Sequence, residues 1–128
     1  MHTITIIEDA DDNRDLLYYL LQDEFEVTRH STGEEALLHF SSQVPDLIIL
    51  DIWLPGLDGM EVLKRVRQEE RLRNIPVLAL TANAMIGDRE KYLAAGFDEY
   101  VAKPIVDIKR FIQTVRDLLD RTQAKRPA

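Results

Sequence analysis

Apolar and polar positions alternate in this chain on two different periods. Four short apolar runs each end in a chemically capable residue. Ile4-Thr5-Ile6-Ile7 runs into Glu8-Asp9, and Leu47-Ile48-Ile49-Leu50 into Asp51. Val77-Leu78-Ala79-Leu80 runs into Thr81, and Tyr100-Val101-Ala102 into Lys103-Pro104. Runs of this length, bounded by polar residues, read as buried strands. Phe25 and Val27 alternate with Glu26 and Thr28, the pattern of a strand with one wetter face nearer an edge. Between the runs the spacing becomes helical. Leu16, Leu17, Leu20 and Leu21 suit one helix face; Ala36, Leu37 and Phe40 a second; Val62, Leu63 and Val66 a third. The longest period is Ile108, Phe111, Ile112, Val115, Leu118 and Leu119.

Boundary residues sharpen these elements. Ser31-Thr32-Gly33-Glu34-Glu35 opens the second helix with a hydroxyl cap and early acids. Pro45-Asp46 is predicted to stop it. Leu54-Pro55-Gly56-Leu57-Asp58-Gly59 is dense in turn residues. The fourth helix is predicted over about 84–95, with Gly96 as a left-handed C-terminal cap. Its start, Ala84-Met85-Ile86-Gly87, suits either a mobile partner-binding turn or simple core packing. The fifth strand is predicted over about 98–102.

Strand and helix alternate five times. That predicts an α/β fold: a doubly wound parallel sheet with helices on both faces and right-handed crossovers. For five strands the order 2-1-3-4-5, the flavodoxin-like (βα)5 arrangement, fits best. Strands one and three are then neighbours at the switch point. Glu8, Asp9 and Asp51 face one crevice there, and Thr81 and Lys103 arrive from strands four and five.

Bulk composition narrows the classes. The 128 residues suit one domain, expected over 1–121, with 122–128 as a disordered basic tail. A net charge of -7 argues against wrapping nucleic acid. There is no cysteine, so disulfides and thiolate chemistry are excluded. The first residues lack a basic and apolar leader, and no apolar stretch approaches the ~20 residues of a membrane span. A cytoplasmic location is expected. His2, His30 and His39 have no metal-ligand spacing and read as structural.

Three carboxylates in one pocket repel each other and raise at least one pKa unless compensated. Oxygen-only ligands of this kind suit Mg²⁺, or Mn²⁺. Mg²⁺ with one or two carboxylates leaves room for a phosphoryl oxygen, and a carboxylate can itself become the phosphoryl acceptor. Asp51 is the best candidate because it follows the most uniformly apolar run. Lys103 and the Thr81 hydroxyl could hold further phosphoryl oxygens. Taken singly, each residue has an ordinary explanation. Asp51 could be a turn former, Thr81 a helix cap, Lys103 a surface lysine, and Glu8-Asp9 a charged helix start. Their joint placement at four strand ends favours the chemical reading.

These residues together resemble the receiver domain of bacterial two-component response regulators over about 3–120. The matching pieces are Ile7-Glu8-Asp9 with Asn13, Asp51 followed by 54–59, Leu80-Thr81-Ala82, and Lys103-Pro104. The resemblance implies that Asp51 accepts a phosphoryl group from a phosphohistidine of a histidine kinase or phosphotransfer protein. It implies Mg²⁺ on Asp9, Asp51 and the backbone carbonyl of Trp53, with Glu8 acting through water. It also implies sensor roles for Thr81 and Lys103, Tyr100 as the switch aromatic, and a cis Lys103–Pro104 bond. Signal would leave through the helix 4, strand 5 and helix 5 face toward an unknown downstream protein. The chain is expected to be a stand-alone receiver, monomeric or weakly dimeric, with no DNA-binding domain and no membrane partner. It is expected not to be an enzyme beyond its own phosphorylation and slow dephosphorylation.

Glu8 replaces the more common Asp, a mild departure. Trp53 is bulkier than the position requires, so it either shields the aspartyl phosphate or merely packs on the loop. Three other readings remain. A degenerate receiver would bind partners without phosphorylation. A flavin protein would want a Ser/Thr/Gly-rich loop after strand one, where acids stand instead. An aspartyl-phosphate hydrolase would want an acid at position 53.

Overall fold

The computed structural model describes residues 1–82 and 85–125. Ten elements alternate along it: β1 Thr3–Ile7, α1 Asp11–Leu21, β2 Glu26–His30, α2 Gly33–Phe40, β3 Leu47–Asp51, α3 Gly59–Gln68, β4 Val77–Thr81, α4 Asp88–Ala95, β5 Glu99–Ala102 and α5 Ile108–Lys125. All strand pairs are parallel, and the sheet order is β2-β1-β3-β4-β5. The predicted architecture is therefore the observed one.

The period-2 alternation of strand side chains splits the interior into two cores. Ile4, Ile6, Leu47, Ile49, Leu78 and Leu80 meet Leu17 and Leu21 of α1 and Phe111, Val115, Leu118 and Leu119 of α5. Ile7, Ile48, Leu50, Val77 and Ala79 point the other way, onto α2, α3 and α4. Both faces of β3 and β4 are buried, which explains runs without polar alternation. Edge strand β2 has exposed and half-buried positions, consistent with its mixed pattern.

Several boundaries differ from the sequence expectation. α2 ends at Phe40, ahead of Pro45-Asp46; Ser41 and Ser42 turn the chain by bonding back to Leu38 and His39 carbonyls. Side-chain hydroxyls therefore stop this helix before proline can. α4 begins at Asp88 instead of about residue 84, because Gly87 sits in the left-handed region at φ 90°. Met85 and Ile86 precede the helix and are exposed, so they are not core; Ala84 lies outside the described residues. α5 continues through Lys125, past Arg121 where the apolar period ends. Of the predicted tail, 126–128 lie outside the described residues. Leu16 is exposed in part, so the inward face of α1 rests on Leu17 and Leu21. Among the described residues no helix is long and apolar enough to cross a membrane.

Candidate functional site

Residue parity decides which side chains can meet at the carboxyl edge of the sheet. Glu8 continues the Ile4–Ile6 face and Asp51 the Leu47–Ile49 face, toward the same core. β1 and β3 are hydrogen-bonded neighbours, with Ile7 opposite Leu50, so the two acids emerge side by side. Glu8 is fully buried and Asp51 is 2% exposed, whereas Asp9 is exposed. One carboxylate oxygen from each of the three lies within 4.8 Å of the others.

Lys103 reaches this corner from the end of β5. Its ammonium donates to Glu8 Oε1 at 2.9 Å and to Asp51 Oδ2 at 3.1 Å. The Lys103–Pro104 peptide is cis, and the Lys103 N–H donates to the Thr81 carbonyl at 2.8 Å. Thr81 is fully buried at the end of β4, opposite Ala102. Tyr100 lies two residues back on the same strand face, opposite Ala79 and half-buried, its ring 5.9 Å from that of Tyr92.

The titration of the two buried acids is split. Burial, reinforced by the neighbouring Asp51, pushes Glu8 up to about 7, against the pull of Lys103. Burial also works to raise Asp51, but the adjoining Glu8 carboxyl and the hydrogen bonds from the Trp53 N–H and Lys103 outweigh it and hold Asp51 below its ordinary value. The Lys103 ammonium is held above the usual lysine value; its burial opposes this, and the bonds to Glu8 and Asp51 prevail. Of the two acids, Asp51 therefore gives up its proton more readily and Glu8 keeps its proton to higher pH. Glu8 Oε2 remains buried with no hydrogen-bond partner.

The loop after β3 is held against Asp51 by backbone contacts. Trp53 N–H donates to Asp51 Oδ1 at 3.0 Å, and Gly59 N–H to the Ile52 carbonyl at 3.0 Å. A Cβ at position 59 would lie 2.4 Å from the Asp51 carbonyl and 2.6 Å from Ile52 Cα. Only glycine permits this approach. Asp58 then caps α3 by accepting from Glu61 N–H at 3.0 Å. The Trp53 indole is 63% exposed at the rim.

The structure thus brings together Glu8, Asp9, Asp51 and Lys103, and places Thr81 and Tyr100 on the adjoining strands. Arg14 belongs with the site although its sequence position gave no sign of it. Its guanidinium donates to the Glu8 carbonyl at 3.0 Å and the Asp9 carbonyl at 3.4 Å, and it pairs with Asp11. The His30 and His39 rings lie 5.0 Å apart, tilted at 49°, and His30 Nδ1 bonds Glu35 Oε1 at 3.0 Å, away from this corner.

A buried carboxylate at the switch point of a 2-1-3-4-5 sheet, joined to a lysine after the last strand, defines a class. The chain belongs to the response regulator receiver domain family, whose profile matches residues 4–116. It is a receiver domain of two-component signalling. Among its relatives is the polar-differentiation response regulator DivK of Brucella ovis, 41% identical over 118 residues that cover 91% of this chain and 95% of DivK. A response regulator structure from Chloroflexus aurantiacus superposes with a TM-score of 0.87 at 36% identity, covering 94% of this chain and 98% of the other. The receiver domain of a Pseudomonas aeruginosa sensor histidine kinase, solved with magnesium coordinated in its active-site cleft, gives 0.83 at 32% identity, covering 93% and 98%. Receiver domains are phosphoacceptor signalling domains, which sets the flavin-protein and hydrolase readings aside.

Proposed function

We propose that this protein is a phosphorylation-driven switch. Asp51 takes a phosphoryl group from the phosphohistidine of a sensor kinase or phosphotransfer protein. The observation that carries this is the buried, ionised Asp51 carboxylate, hydrogen-bonded to Lys103 and clustered with Glu8 and Asp9.

The acidic corner fits Mg²⁺, with Mn²⁺ a feasible substitute. Three carboxylates cluster here, Lys103 pairs with only two of them, Glu8 and Asp51, and Glu8 Oε2 has no partner. Asp9, Asp51 and the Trp53 carbonyl would hold the ion directly and Glu8 through water. A cation held there would supply charge neutralisation for an incoming phosphoryl group.

In the transfer step, an Asp51 oxygen forms a P–O bond as the donor's P–N bond breaks, and the imidazole leaves. Lys103 moves from sharing two carboxylates to pairing one phosphoryl oxygen. The Thr81 hydroxyl and the Trp53 N–H are the nearby donors for others. The new group adds roughly -1.5 to -2 charge at neutral pH, enough to bias a two-state element. Thr81 turns toward the phosphoryl group and Tyr100 follows into the space above Ala79. The readout surface is the adjacent groove of about 630 Å³, which includes Arg89, Glu99, Tyr100, Ile105, Arg110 and Phe111.

Incubation with Mg²⁺ and acetyl phosphate, followed by intact mass and peptide mapping, tests the reading. One phosphate on Asp51 is expected, absent in Asp51→Asn and with chelator. No metal-dependent adduct with several small donors would leave a partner-binding receiver that works without phosphate. The exposed Trp53 indole is proposed to shield the aspartyl phosphate from water. Trp53→Asn should shorten the phosphoryl half-life severalfold, and an unchanged half-life would reduce the indole to packing.

A further inference from the structure

The loop between Asp51 and α3 is tied down at both ends, yet its apex depends on a different element. Ile52 N–H bonds the Leu80 carbonyl at 3.0 Å, and Gly59 closes the far end on Ile52. Among the described residues, one hydrogen bond ties residues 54–57 to the rest of the chain: Leu57 N–H donates to Glu34 Oε1 at 3.0 Å. Glu34 lies in the first turn of α2, 23 residues away in sequence. Its neighbour Glu35 serves the ordinary role there, giving its N–H to the Thr32 cap at 3.1 Å while its side chain bonds His30. Among the described residues no cation pairs with Glu34. Its acceptor oxygen is committed to the loop backbone, and both oxygens border Gly56, within 3.4 and 3.7 Å of where a Cβ would sit.

We propose that Glu34 is a positioning residue for the acceptor site, a reading that rests on the proposed function of Asp51. Its carboxylate fixes the loop apex from α2. That fixes the peptide at Trp53, whose N–H meets Asp51 Oδ1 and whose carbonyl would face the cation. Freed of this clamp, residues 53–57 sample other arrangements and the site must be ordered at the moment of binding. Leu57 still packs on the core next to α2, so the fold itself does not depend on the bond. The effect belongs in Mg²⁺ affinity and phosphoryl uptake and not in melting.

Glu34→Ala and Glu34→Gln separate the possibilities. Trp53 is the only tryptophan, so its fluorescence reports Mg²⁺ binding directly. Glu34→Ala should weaken Mg²⁺ binding about three- to tenfold, the range expected for one hydrogen bond, and slow acetyl-phosphate labelling to match. In the metal-free protein it should also speed exchange of the Leu57 and Trp53 amides. The melting temperature should stay put. Glu34→Gln keeps the acceptor oxygen and should restore affinity to within about twofold of wild type. Wild-type Mg²⁺ affinity in Glu34→Ala overturns the clamp. So does a loss that tracks a lower melting temperature, or Gln behaving like Ala. If wild-type protein neither binds Mg²⁺ nor labels, the reading of Asp51 falls first and the clamp with it. Normal wild-type labelling with an indifferent Glu34→Ala removes only the clamp.

Discussion

α3 and α4 are both short, both polar in composition, and both packed on the same face of the sheet, yet they are held very differently. α3 buries Val62, Leu63 and Val66 and begins on the Asp58 cap. Burial of such side chains stabilises by about 1.5–3 kcal/mol each. α4 buries Tyr92 alone and starts on Gly87 with no side-chain cap. The difference lies in where the apolar residues fall, since neither helix is rich in them. α3 follows the loop after Asp51 and fixes its far end; α4 borders the groove beside Tyr100 and is held by Tyr92, by the Arg89–Glu99 pair and by Arg67 at its C-terminal end, with no such anchor at its start. The proposed switch would need both: a site backed by a firmly packed helix and a neighbour whose entry turn can move.

Truncation should expose this contrast most strongly. Leu63→Ala removes a fully packed side chain under α3 and should cost about 2–5 kcal/mol. Ile86→Ala, at the fully exposed entry to α4, should change stability by less than ~0.5 kcal/mol. Urea unfolding of the two variants measures both. Comparable losses would mean that the turn before α4 is packed as tightly as α3.

The corner around Asp51 adds a pH dependence of its own, set by its two buried acids. Glu8 titrates at about 7 when folded against 4.5 when free, chiefly through burial. The folded chain binds that proton more tightly than the unfolded one. Metal-free stability should therefore fall as pH rises from about 4.5 to about 7, then level off. Asp51, held low, has the opposite sign: its contribution is present above its free value and is lost at lower pH. Mg²⁺ prefers ionised Glu8, so its stabilising effect should grow across the same window. Melting temperatures in chelator and in Mg²⁺ from pH 4.5 to 8 check this, and Glu8→Gln should flatten the chelator curve.

Much of this was legible in the sequence for a physical reason. Strands buried on both faces leave continuous apolar runs, and a run's end marks the sheet edge where ligands bind. Asp51 and Thr81 could be read because each follows such a run, and Lys103 because it ends the shorter apolar stretch of edge strand β5. The holding interactions could not. Arg67 donates to the Gly96, Arg73 and Ile75 carbonyls and to Asp98, bracing the C-terminal end of α4 against α3. Glu34 and Arg14 likewise bond to backbone groups. Every residue carries a backbone carbonyl or N–H, so such partners leave no mark in the sequence. α4 starts later than its apolar lead-in suggests, because the left-handed Gly87 separates Met85 and Ile86 from the helix.

The two ends of α4 give the finest test of the contrast. Gly87 and Gly96 flank the helix and both hold positive φ, 90° and 118°. Alanine at either strains the backbone by about 1–2 kcal/mol if the conformation must be kept. At Gly96 it must be kept. Its carbonyl accepts from Arg67 at 2.7 Å, and an added Cβ would rest on Leu63 and Arg67 at ordinary contact distance. At Gly87 nothing lies within 4 Å of an added Cβ, and the preceding Met85 and Ile86 are exposed. That turn can relax into another conformation without opening the core. Gly96→Ala should therefore lower the unfolding free energy measured in urea by nearly the full strain, and Gly87→Ala by well under half of it. Hydrogen exchange should place the lost protection of Gly87→Ala within the first turn of α4. Equal midpoints for the two variants would show that α4 is anchored at both ends, and the groove beside Tyr100 would then lack its movable wall.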